Sequence, residues 1–223
     1  MKNAASGKRR VMIVDDHPLF CEGLGRVIDQ QPDLVMCGAA ADAAGGLAAS
    51  RKLKPDVVIA DLTLEEGSGL EMIECLHAEQ PKLPILALSA HPEDVYAVRA
   101  YRAGARGYVM KHEPSSRVLE ALRRLLNGQM AFSEGVISQV MELGIGKDAS
   151  LPRSPVELLS NRELEIYRAI GLGRATREIA ARLGLAVSTV ESYRASIKLK
   201  LHLRNAAELA ASAARFLAEE GAR

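Results

Sequence analysis

The segment Val11-Met-Ile-Val-Asp-Asp-His-Pro18 sets the architecture of the N-terminal half of the chain. Four consecutive apolar residues are typical of a buried strand, and the polar residues and proline after them indicate a loop that leads into a helix. Similar apolar runs follow at residues 34–37, 57–60, 85–88 and 108–109, separated by longer amphipathic stretches. Five such units in succession predict an α/β fold over residues 8–128, a doubly wound, five-stranded parallel sheet.

Composition excludes several classes of protein. The chain has 223 residues, of which 48% are hydrophobic, so it can bury a substantial core and is not disordered overall. No stretch approaches the roughly 20 apolar residues of a membrane helix, and the apolar run after the basic start is too short for a signal peptide. Three cysteines, an odd number, are typical of a reducing compartment. We therefore expect a cytoplasmic protein with no membrane partner.

Charge is distributed unevenly along the chain, although the total is only +1. Residues 1–128 carry 16 basic and 17 acidic side chains, whereas residues 152–223 carry 12 basic and eight acidic ones. The segment 129–154, rich in glycine and proline, is predicted to be a linker with one or two helical turns. Residues 155–223 show only helical periodicity. They are predicted to form a second, smaller all-α domain with a basic surface.

Acidic side chains follow two strands of the predicted sheet. Asp15 and Asp16 come directly after the first strand and Asp61 after the third, so they should converge at the carboxyl edge of the sheet. Three carboxylates in one crevice indicate a Mg²⁺ site. Ser89 ends the fourth strand and Lys111 lies just after the fifth, and they would add a hydroxyl and a cation, which suits phosphoryl transfer to Asp61. Taken singly, Asp16 is better explained as a helix cap and Asp61 as a turn residue, but the occurrence of all these residues at successive strand ends favours the functional interpretation.

Several motifs together resemble a response-regulator receiver domain, which has a flavodoxin-like fold. They are Val14-Asp-Asp-His-Pro18, Asp61-Leu-Thr-Leu64, Gly69-Leu-Glu71, Leu88-Ser-Ala90 and the segment from Ala103 to Lys111. The resemblance implies that a sensor histidine kinase phosphorylates Asp61 and that Asp15, Asp16 and Asp61 bind Mg²⁺. It also implies that Ser89 and Lys111 contact the phosphoryl group and that Tyr108 is the aromatic switch residue.

Three positions bear on this resemblance. Glu65 replaces a proline that is usual in the receiver family four residues after the acceptor. Thr63 and His91 occupy positions that influence the lifetime of the phosphoryl group in this family. The resemblance gives no direction for their effect.

Residues 176–190 have the layout of a helix-turn-helix. Ile179, Ala180 and Leu183 point to one side of a first helix, Gly184 provides a tight turn, and Val190 points inward from a second helix. The opposite face of the second helix would meet the major groove of double-stranded DNA, with lysines beside it for phosphates. This face carries Ser188, Glu191, Ser192 and Ala195, and the lysines are Lys198 and Lys200. A helical bundle with a solvated basic face is the alternative.

The same region resembles a LuxR-type helix-turn-helix, and with a receiver domain it is similar to the NarL/FixJ class of response regulators. The matching residues are Leu159-Ser-Asn-Arg-Glu163, Gly173, Arg177-Glu-Ile-Ala180, Thr189-Val190, Ile197 and Lys200-Leu201. The resemblance implies base contacts by Ser188, Glu191, Ser192 and Ala195, and backbone contacts by Thr189, Tyr193 and Lys200. Ala186 replaces the serine that usually caps the recognition helix, a loss of about 1 kcal/mol.

The last predicted helix has two apolar stripes, and an isolated helix on a small domain needs only one. Leu209, Ala213 and Phe216 form one stripe, and the other is formed by Ala206, Ala210 and Leu217. The extra stripe predicts a homodimer, as in the resembled family, and we assign the dimer contacts to Leu209, Ala213 and Phe216. A two-fold dimer would read an inverted repeat.

These features together predict a transcriptional regulator, not an enzyme, that binds DNA as a dimer once Asp61 is phosphorylated. In the hypothesised switch, phosphorylation draws Ser89 and Tyr108 inward and releases a basic domain that the slightly acidic receiver masks. Two alternatives stay open. One is a haloacid-dehalogenase-type phosphatase, although such an enzyme would want Asp-x-Asp after the first strand. The other is a DNA-binding protein whose receiver serves only for dimerisation.

Overall fold

The apolar runs form one parallel sheet in the computed structural model. Its strands are β1 (Arg9–Val14), β2 (Leu34–Ala40), β3 (Val57–Asp61), β4 (Ile85–Ser89) and β5 (Gly107–Met110). All neighbouring strands run parallel, in the order β2-β1-β3-β4-β5. Every residue of β3 and β4 is buried, because the sheet lies between two layers of helices. The predicted doubly wound sheet is confirmed.

Five helices connect and follow these strands. They are α1 (Pro18–Asp29), α2 (Ala43–Leu53), α3 (Gly69–Glu79), α4 (Glu93–Ala103) and α5 (Ser115–Leu126). One core cluster joins β1, β3 and β4 to the apolar faces of α1 and α5. Because β1 lies between β2 and β3, the connection after β1 runs to one side of the sheet and the connection after β3 runs to the other. This divergence opens a crevice at the carboxyl ends of β1 and β3. That crevice receives the residues after both strands.

The structure describes residues 7–64, 67–144 and 155–221. Glu65 and part of the predicted linker, residues 145–154, lie outside the described residues. The chain divides into two units, Met1–Val136 and Ile137–Arg223. No helix among the described residues has the length and apolar character needed to cross a membrane.

The described part of the second unit is helical throughout. Helix α6 (Glu134–Gly144) crosses the boundary between the units, and a 3-10 turn (Pro155–Leu158) precedes α7 (Asn161–Gly171). Three helices follow, α8 (Thr176–Arg182), α9 (Val187–Lys200) and α10 (Ala206–Gly221). Leu164, Ile166 and Tyr167 of α7 are almost fully buried and form the centre of this domain. The predicted smaller all-α domain is therefore present.

The segment predicted as a linker begins with residues that belong to the sheet. The Tyr108 backbone N–H donates to the Ala131 carbonyl at 2.9 Å, and the Ala131 N–H donates to the Arg106 carbonyl at 2.9 Å. Ala131 and Phe132 are buried. The helix after them, α6, has 11 residues, more than the predicted one or two turns. A single strand-like residue pair gives no sequence periodicity, so the prediction did not detect it.

The assignment of dimer contacts to the stripe Leu209, Ala213 and Phe216 is corrected by the structure. Leu209 and Ala213 are 0% exposed within a single chain, because α10 packs on α7 through this stripe. The Phe216 ring lies 5.7 Å from that of Tyr167. The stripe is therefore part of the domain core. On the other stripe, Ala206 and Ala210 are exposed.

Candidate functional site

The acidic residues predicted to converge do so around a lysine. Asp15 follows β1 and Asp61 is the last residue of the adjacent strand β3; they are 2% and 1% exposed. Lys111 follows β5, and its Nζ lies 2.7 Å from Asp15 Oδ2 and 2.7 Å from Asp61 Oδ2. The Phe20 ring lies on the ammonium, 5.2 Å from Nζ to the ring centroid. One cation therefore offsets the repulsion between two nearly buried carboxylates.

His17 is a member of this pocket that sequence reasoning did not assign. Its Nδ1 lies 3.0 Å from Asp15 Oδ1 and 2.7 Å from Asp16 Oδ1. One ligand atom from each of Asp15, Asp16, His17 and Asp61 can be chosen so that all lie within 4.8 Å of one another. Three carboxylates at this spacing fit a Mg²⁺ ion, which prefers oxygen ligands and keeps several waters. Its position directly after the aspartate pair was the only signal for His17.

Local structure fixes the Asp61 carboxylate. The Thr63 backbone N–H donates to Asp61 Oδ1 at 3.0 Å. Gly69, the first residue of α3, lies so close that a Cβ there would clash with the backbone of Asp61 and Leu62. Burial raises the pKa of Asp61 to about 6, and the hydrogen bond and charge of Lys111 oppose that rise. A buried carboxylate with a cation on one oxygen is poised as a nucleophile once it is ionised.

The predicted switch residues, Ser89 and Tyr108, are in contact and both also bond to the backbone of His91. Tyr108 is 4% exposed, and its hydroxyl donates to the His91 carbonyl at 2.7 Å. Burial raises the pKa of Tyr108, and a hydrogen bond with Ser89 opposes the rise. The fully buried Ser89 Oγ accepts from the His91 N–H at 3.1 Å. Tyr108 lies inward in this structure, and the movement of Ser89 and Tyr108 on phosphorylation stays a prediction.

Thr63 and His91 form a bridge between two loops of the pocket. Thr63 Oγ1 lies 3.0 Å from His91 Nε2, which joins the segment after β3 to the segment after β4. The His91 ring also lies 4.9 Å from that of Tyr96. The two positions that the family resemblance singled out are thus in direct contact.

The helix-turn-helix packs as its apolar spacing predicted. Ile179, Ala180 and Leu183 of the first part are buried, and Val190 and Ile197 of α9 are 0% exposed. Gly184 takes a left-handed conformation, with φ of 63°, in the turn between α8 and α9. The opposite side of α9 is open to solvent. Its exposed residues are Ser188, Glu191, Ser192 and Ala195, whereas Thr189, Tyr193, Lys198 and Lys200 are half-buried.

The carboxylate of Glu163 alters the expectation that Lys200 of α9 is free to contact DNA. Lys200 Nζ lies 2.6 Å from Glu163 Oε2, so the lysine predicted to contact the DNA backbone already has a carboxylate partner. Glu163 is 4% exposed and also accepts from Ser196 Oγ at 2.6 Å and from the Ser160 N–H at 2.7 Å. The pattern Ser160-x-x-Glu163, a capping box, was the sequence signal for Glu163.

Glu191 is held by a neighbour as well. The Thr176 hydroxyl donates to Glu191 Oε1 at 2.9 Å, which connects the first residue of α8 to the exposed face of α9. Arg194 Nε lies 3.7 Å from Glu191 Oε2. No pattern in the sequence indicated this contact, because the two residues are 15 positions apart.

Two family models match the chain. The response regulator receiver domain matches residues 11–123, and the model of bacterial regulatory proteins of the luxR family matches residues 157–213. The chain is a response regulator. It combines a receiver with a LuxR-type helix-turn-helix domain, the composition of a transcriptional regulator rather than an enzyme. The phosphatase alternative is therefore not supported.

Individual relatives agree with this assignment. The chain is 32% identical to the transcriptional regulatory protein MctR of Rhizobium johnstonii over 91% of each chain. It is similar to the crystal structure of a LuxR-family two-component response regulator from Aurantimonas sp. SI85-9A1, at 32% identity and a TM-score of 0.56, over 62% of this chain and 99% of that one. RcsB from Salmonella enterica serovar Typhimurium shares the fold at 24% identity, with a TM-score of 0.65 over 92% of this chain and 97% of that one.

Proposed function

We propose that this regulator accepts a phosphoryl group on Asp61 and binds double-stranded DNA as a homodimer in response. The single observation that carries the proposal is the ammonium of Lys111 placed 2.7 Å from oxygens of both Asp15 and Asp61 in a nearly closed pocket. Such an arrangement serves little purpose in a structural core, where apolar residues would pack at lower cost. It suits a site at which negative charge arrives.

The chemistry follows from the positions of these groups. Asp61 Oδ attacks the phosphorus of a phosphohistidine in a sensor histidine kinase, the P–N bond breaks, and the imidazole recovers the electron pair. Lys111 holds the incoming phosphoryl oxygens, and Ser89 donates its hydroxyl to one of them. Asp15, Asp16 and Asp61 would hold the Mg²⁺ that neutralises the charge of the phosphoryl group. His17 contacts two of these carboxylates and would turn aside when they bind the ion.

DNA recognition is proposed for the exposed side of α9. Ser188, Glu191, Ser192 and Ala195 face away from the domain core and would meet base edges, with Thr189 and Tyr193 at the sugar-phosphate backbone. Lys198 would contact a phosphate, whereas Lys200 would contribute mainly through Glu163. A protein of the same fold, RcsB, has been solved bound to a promoter in the presence of the phosphomimetic BeF3−. The dimer contacts of this chain are proposed for the exposed residues of the other α10 stripe, Ala206 and Ala210.

An acetyl phosphate experiment tests the proposal. The wild type and Asp61→Asn are incubated with acetyl phosphate and Mg²⁺, and the intact mass of each protein is measured. We expect the mass of one phosphoryl group on the wild type only, and its loss when EDTA replaces Mg²⁺. Genomic fragments bound by each sample are then selected and sequenced.

The phosphorylated wild type should enrich fragments that share an inverted repeat and should sediment as a dimer. Asp61→Glu, which keeps the charge and lengthens the side chain, is the matched control for a change at this position. Equal DNA binding by the wild type and Asp61→Asn, with and without acetyl phosphate, would contradict the proposed switch. It would favour a receiver that serves only for dimerisation.

A further inference from the structure

Residues 129–133, here called the strap, attach the end of the receiver to two different parts of the domain. At one end, the Ala131 carbonyl accepts from the Tyr108 N–H of β5, and the Ala131 N–H donates to the carbonyl of Arg106, the residue before β5. At the other end, the Ser133 N–H donates to Glu93 Oε1 at 2.9 Å. Glu93 is the first residue of α4 and follows the segment that contains Ser89 and His91. The strap therefore spans from a core strand to the beginning of α4.

Packing shows that the strap is a fixed element. Phe132 is 6% exposed and meets Tyr101 of α4 edge-to-face, with ring centroids 6.1 Å apart. A Cβ at Gly107 would lie 2.8 Å from the Ala131 Cβ, so the close approach of β5 and the strap requires a glycine there. Ser133 also accepts, through its Oγ, from the Val136 N–H at 3.4 Å, and this bond caps the start of α6. The strap thus leads directly into a capped helix.

The Glu93 attachment lies on the segment that phosphorylation must displace. If Ser89 contacts a phosphoryl group on Asp61, its Oγ must reorient from the His91 N–H that it now accepts from. His91 in turn holds the Tyr108 hydroxyl through its carbonyl. Glu93 lies two residues further along. Because β5 is paired with β4 along its length and the 90–93 segment is not, one end of the strap stays in place while the other is displaced.

We propose that the strap keeps the start of α6 on the receiver and loses its Glu93 attachment when Asp61 carries a phosphoryl group. This inference rests on the proposed function of Asp61. Release frees the Ser133 N–H and loosens the α6 cap that the same residue provides. The chain between the receiver and the helix-turn-helix domain thereby gains freedom, which is the signal passed to the rest of the protein.

Amide hydrogen exchange of residues 131–136 in the full chain tests the proposal. The wild type, Asp61→Asn, Glu93→Ala and Glu93→Gln are compared with and without acetyl phosphate and Mg²⁺, and phosphorylation is followed by intact mass. Phosphorylated wild type should exchange about tenfold faster at Ser133 than the untreated protein, since a hydrogen bond to a carboxylate is lost. Asp61→Asn should show no change.

The Glu93 variants separate the attachment from other effects. Glu93→Ala should exchange about tenfold faster without any donor and respond little to phosphorylation. Glu93→Gln keeps an acceptor oxygen and should resemble the wild type before phosphorylation. Unchanged exchange in a wild type that has gained the phosphoryl mass would overturn the coupling, and wild-type exchange in Glu93→Ala would overturn the attachment. If no phosphoryl mass appears, the proposed function fails, while Glu93→Ala still decides the attachment.

A second pair of variants disturbs the strap without altering α4. Gly107→Ala places a methyl group against Ala131 and should raise exchange at residues 131–133 in the absence of donor. Gly23→Ala, with nothing within 4 Å of the added methyl, is the matched control and should leave the strap unchanged. Identical exchange in both variants, with circular dichroism showing both folded, would contradict a strap held on β5.

Discussion

Lys111 explains how the acidic pocket tolerates its own charge. Its ammonium is shared equally by Asp15 and Asp61, and its side chain is only 16% exposed. Without it, two nearly buried carboxylates would face each other with no ammonium between them. Such pairs are strongly destabilising unless one group takes up a proton or a metal ion binds. The same lysine therefore stabilises the pair of carboxylates and is placed to hold a phosphoryl group.

Replacing this lysine should lower the stability of the protein, and added Mg²⁺ should restore part of that stability. We expect Lys111→Met to reduce the free energy of unfolding by about 3 kcal/mol in EDTA, because it removes the ammonium that lies between the carboxylates of Asp15 and Asp61. Added Mg²⁺ should raise the melting temperature of Lys111→Met more than that of the wild type. Lys82→Met, at an exposed position, is the control. Equal Mg²⁺ responses in the variant and the wild type would contradict this role of Lys111.

The ionisation of Glu163 makes the stability of the second unit depend on pH. Burial raises its pKa, but hydrogen bonds from Lys200, Ser196 and Ser160 outweigh burial and lower the pKa to about 2. Because the pKa is lower in the folded than in the unfolded state, the ionised carboxylate stabilises the domain above its ordinary pKa of 4.5. This contribution should be lost as the pH falls from about 4.5 towards 2.

Substitution of Glu163 should reveal that dependence. We expect Glu163→Gln to lower the free energy of unfolding by about 2 kcal/mol at neutral pH, since the neutral amide leaves the Lys200 ammonium without a charged partner. The difference from the wild type should shrink as the pH falls below 4.5. Chemical denaturation at several pH values measures it, with the exposed Glu219→Gln as control. A difference that stays constant down to the lowest pH would be inconsistent with an ionised Glu163.

Both ends of the recognition helix α9 lack the residue that helix geometry favours. Its N-cap, Ala186, makes no side-chain hydrogen bond to the first turn. At its other end the Leu203 N–H bonds to the Lys198 carbonyl and the His202 N–H to the Leu199 carbonyl, which is a Schellman motif. The left-handed residue of that motif is His202, with φ of 54°, where glycine is favoured. The helix is held by the burial of Val190 and Ile197 and by the bonds of Ser196 and Lys200 to Glu163.

The N-cap offers a stabilising substitution. The backbone of Ala186 is already extended, with φ of −70° and ψ of 147°, so a serine there can accept from the first turn without rearrangement. We expect Ala186→Ser to raise the free energy of unfolding of the second unit by about 1 kcal/mol. Ala186→Val, which adds bulk but no acceptor, should not. A serine variant no more stable than the valine variant would show that the helix start is satisfied in another way.

The Schellman motif at the C-terminal end of α9 offers a second stabilising substitution. His202→Gly should raise the free energy of unfolding by about 1 kcal/mol, because glycine takes the left-handed conformation without a Cβ penalty. His202→Ala retains the Cβ and should give little or none of this gain. Thermal unfolding of the two variants separates backbone strain from loss of the imidazole. Equal stabilisation by glycine and alanine would point to the side chain instead.

The total charge of +1 hides an uneven distribution of charge between the two parts of the molecule. The receiver segment is close to neutral, whereas residues 152–223 carry 12 basic and eight acidic side chains. Nucleic-acid affinity depends on local rather than total charge, because each phosphate contact releases counterions. The two activities of the chain should therefore respond differently to salt.

Salt titration tests this separation. With about six phosphate contacts per dimer, DNA affinity should fall roughly 1,000-fold between 50 and 200 mM salt. Phosphorylation of Asp61 by acetyl phosphate should change little over the same range, since its pocket is nearly closed to solvent. Fluorescence anisotropy with a labelled operator and intact mass measure the two quantities. A shallow salt dependence of DNA binding would indicate that few basic side chains of the second unit reach phosphates.

Some elements and contacts could be predicted from the sequence and others could not. The strands and the number of units were indicated by the apolar runs and the longer stretches between them, although alanine and glycine in α2 and charged residues in α4 weaken the helical periodicity. The carboxylate pocket was predicted because carboxyl ends of adjacent parallel strands must meet at one edge. His17, the Thr63–His91 bridge and the Thr176–Glu191 contact were not, because each depends on side-chain placement across loops.

The sequence alone determined the parallel sheet, the two-domain order and the residues that gather around Asp61, because strand and helix periodicities together with chain order leave few topologies for this pattern. Only the tertiary structure decided which apolar stripe of α10 is core, that Tyr108 lies inward, and that residues 129–133 bind β5 and Glu93. Those features depend on which surfaces meet after the chain has folded. A local pattern can mark a residue as apolar or polar, but it does not specify the partner against which that residue packs.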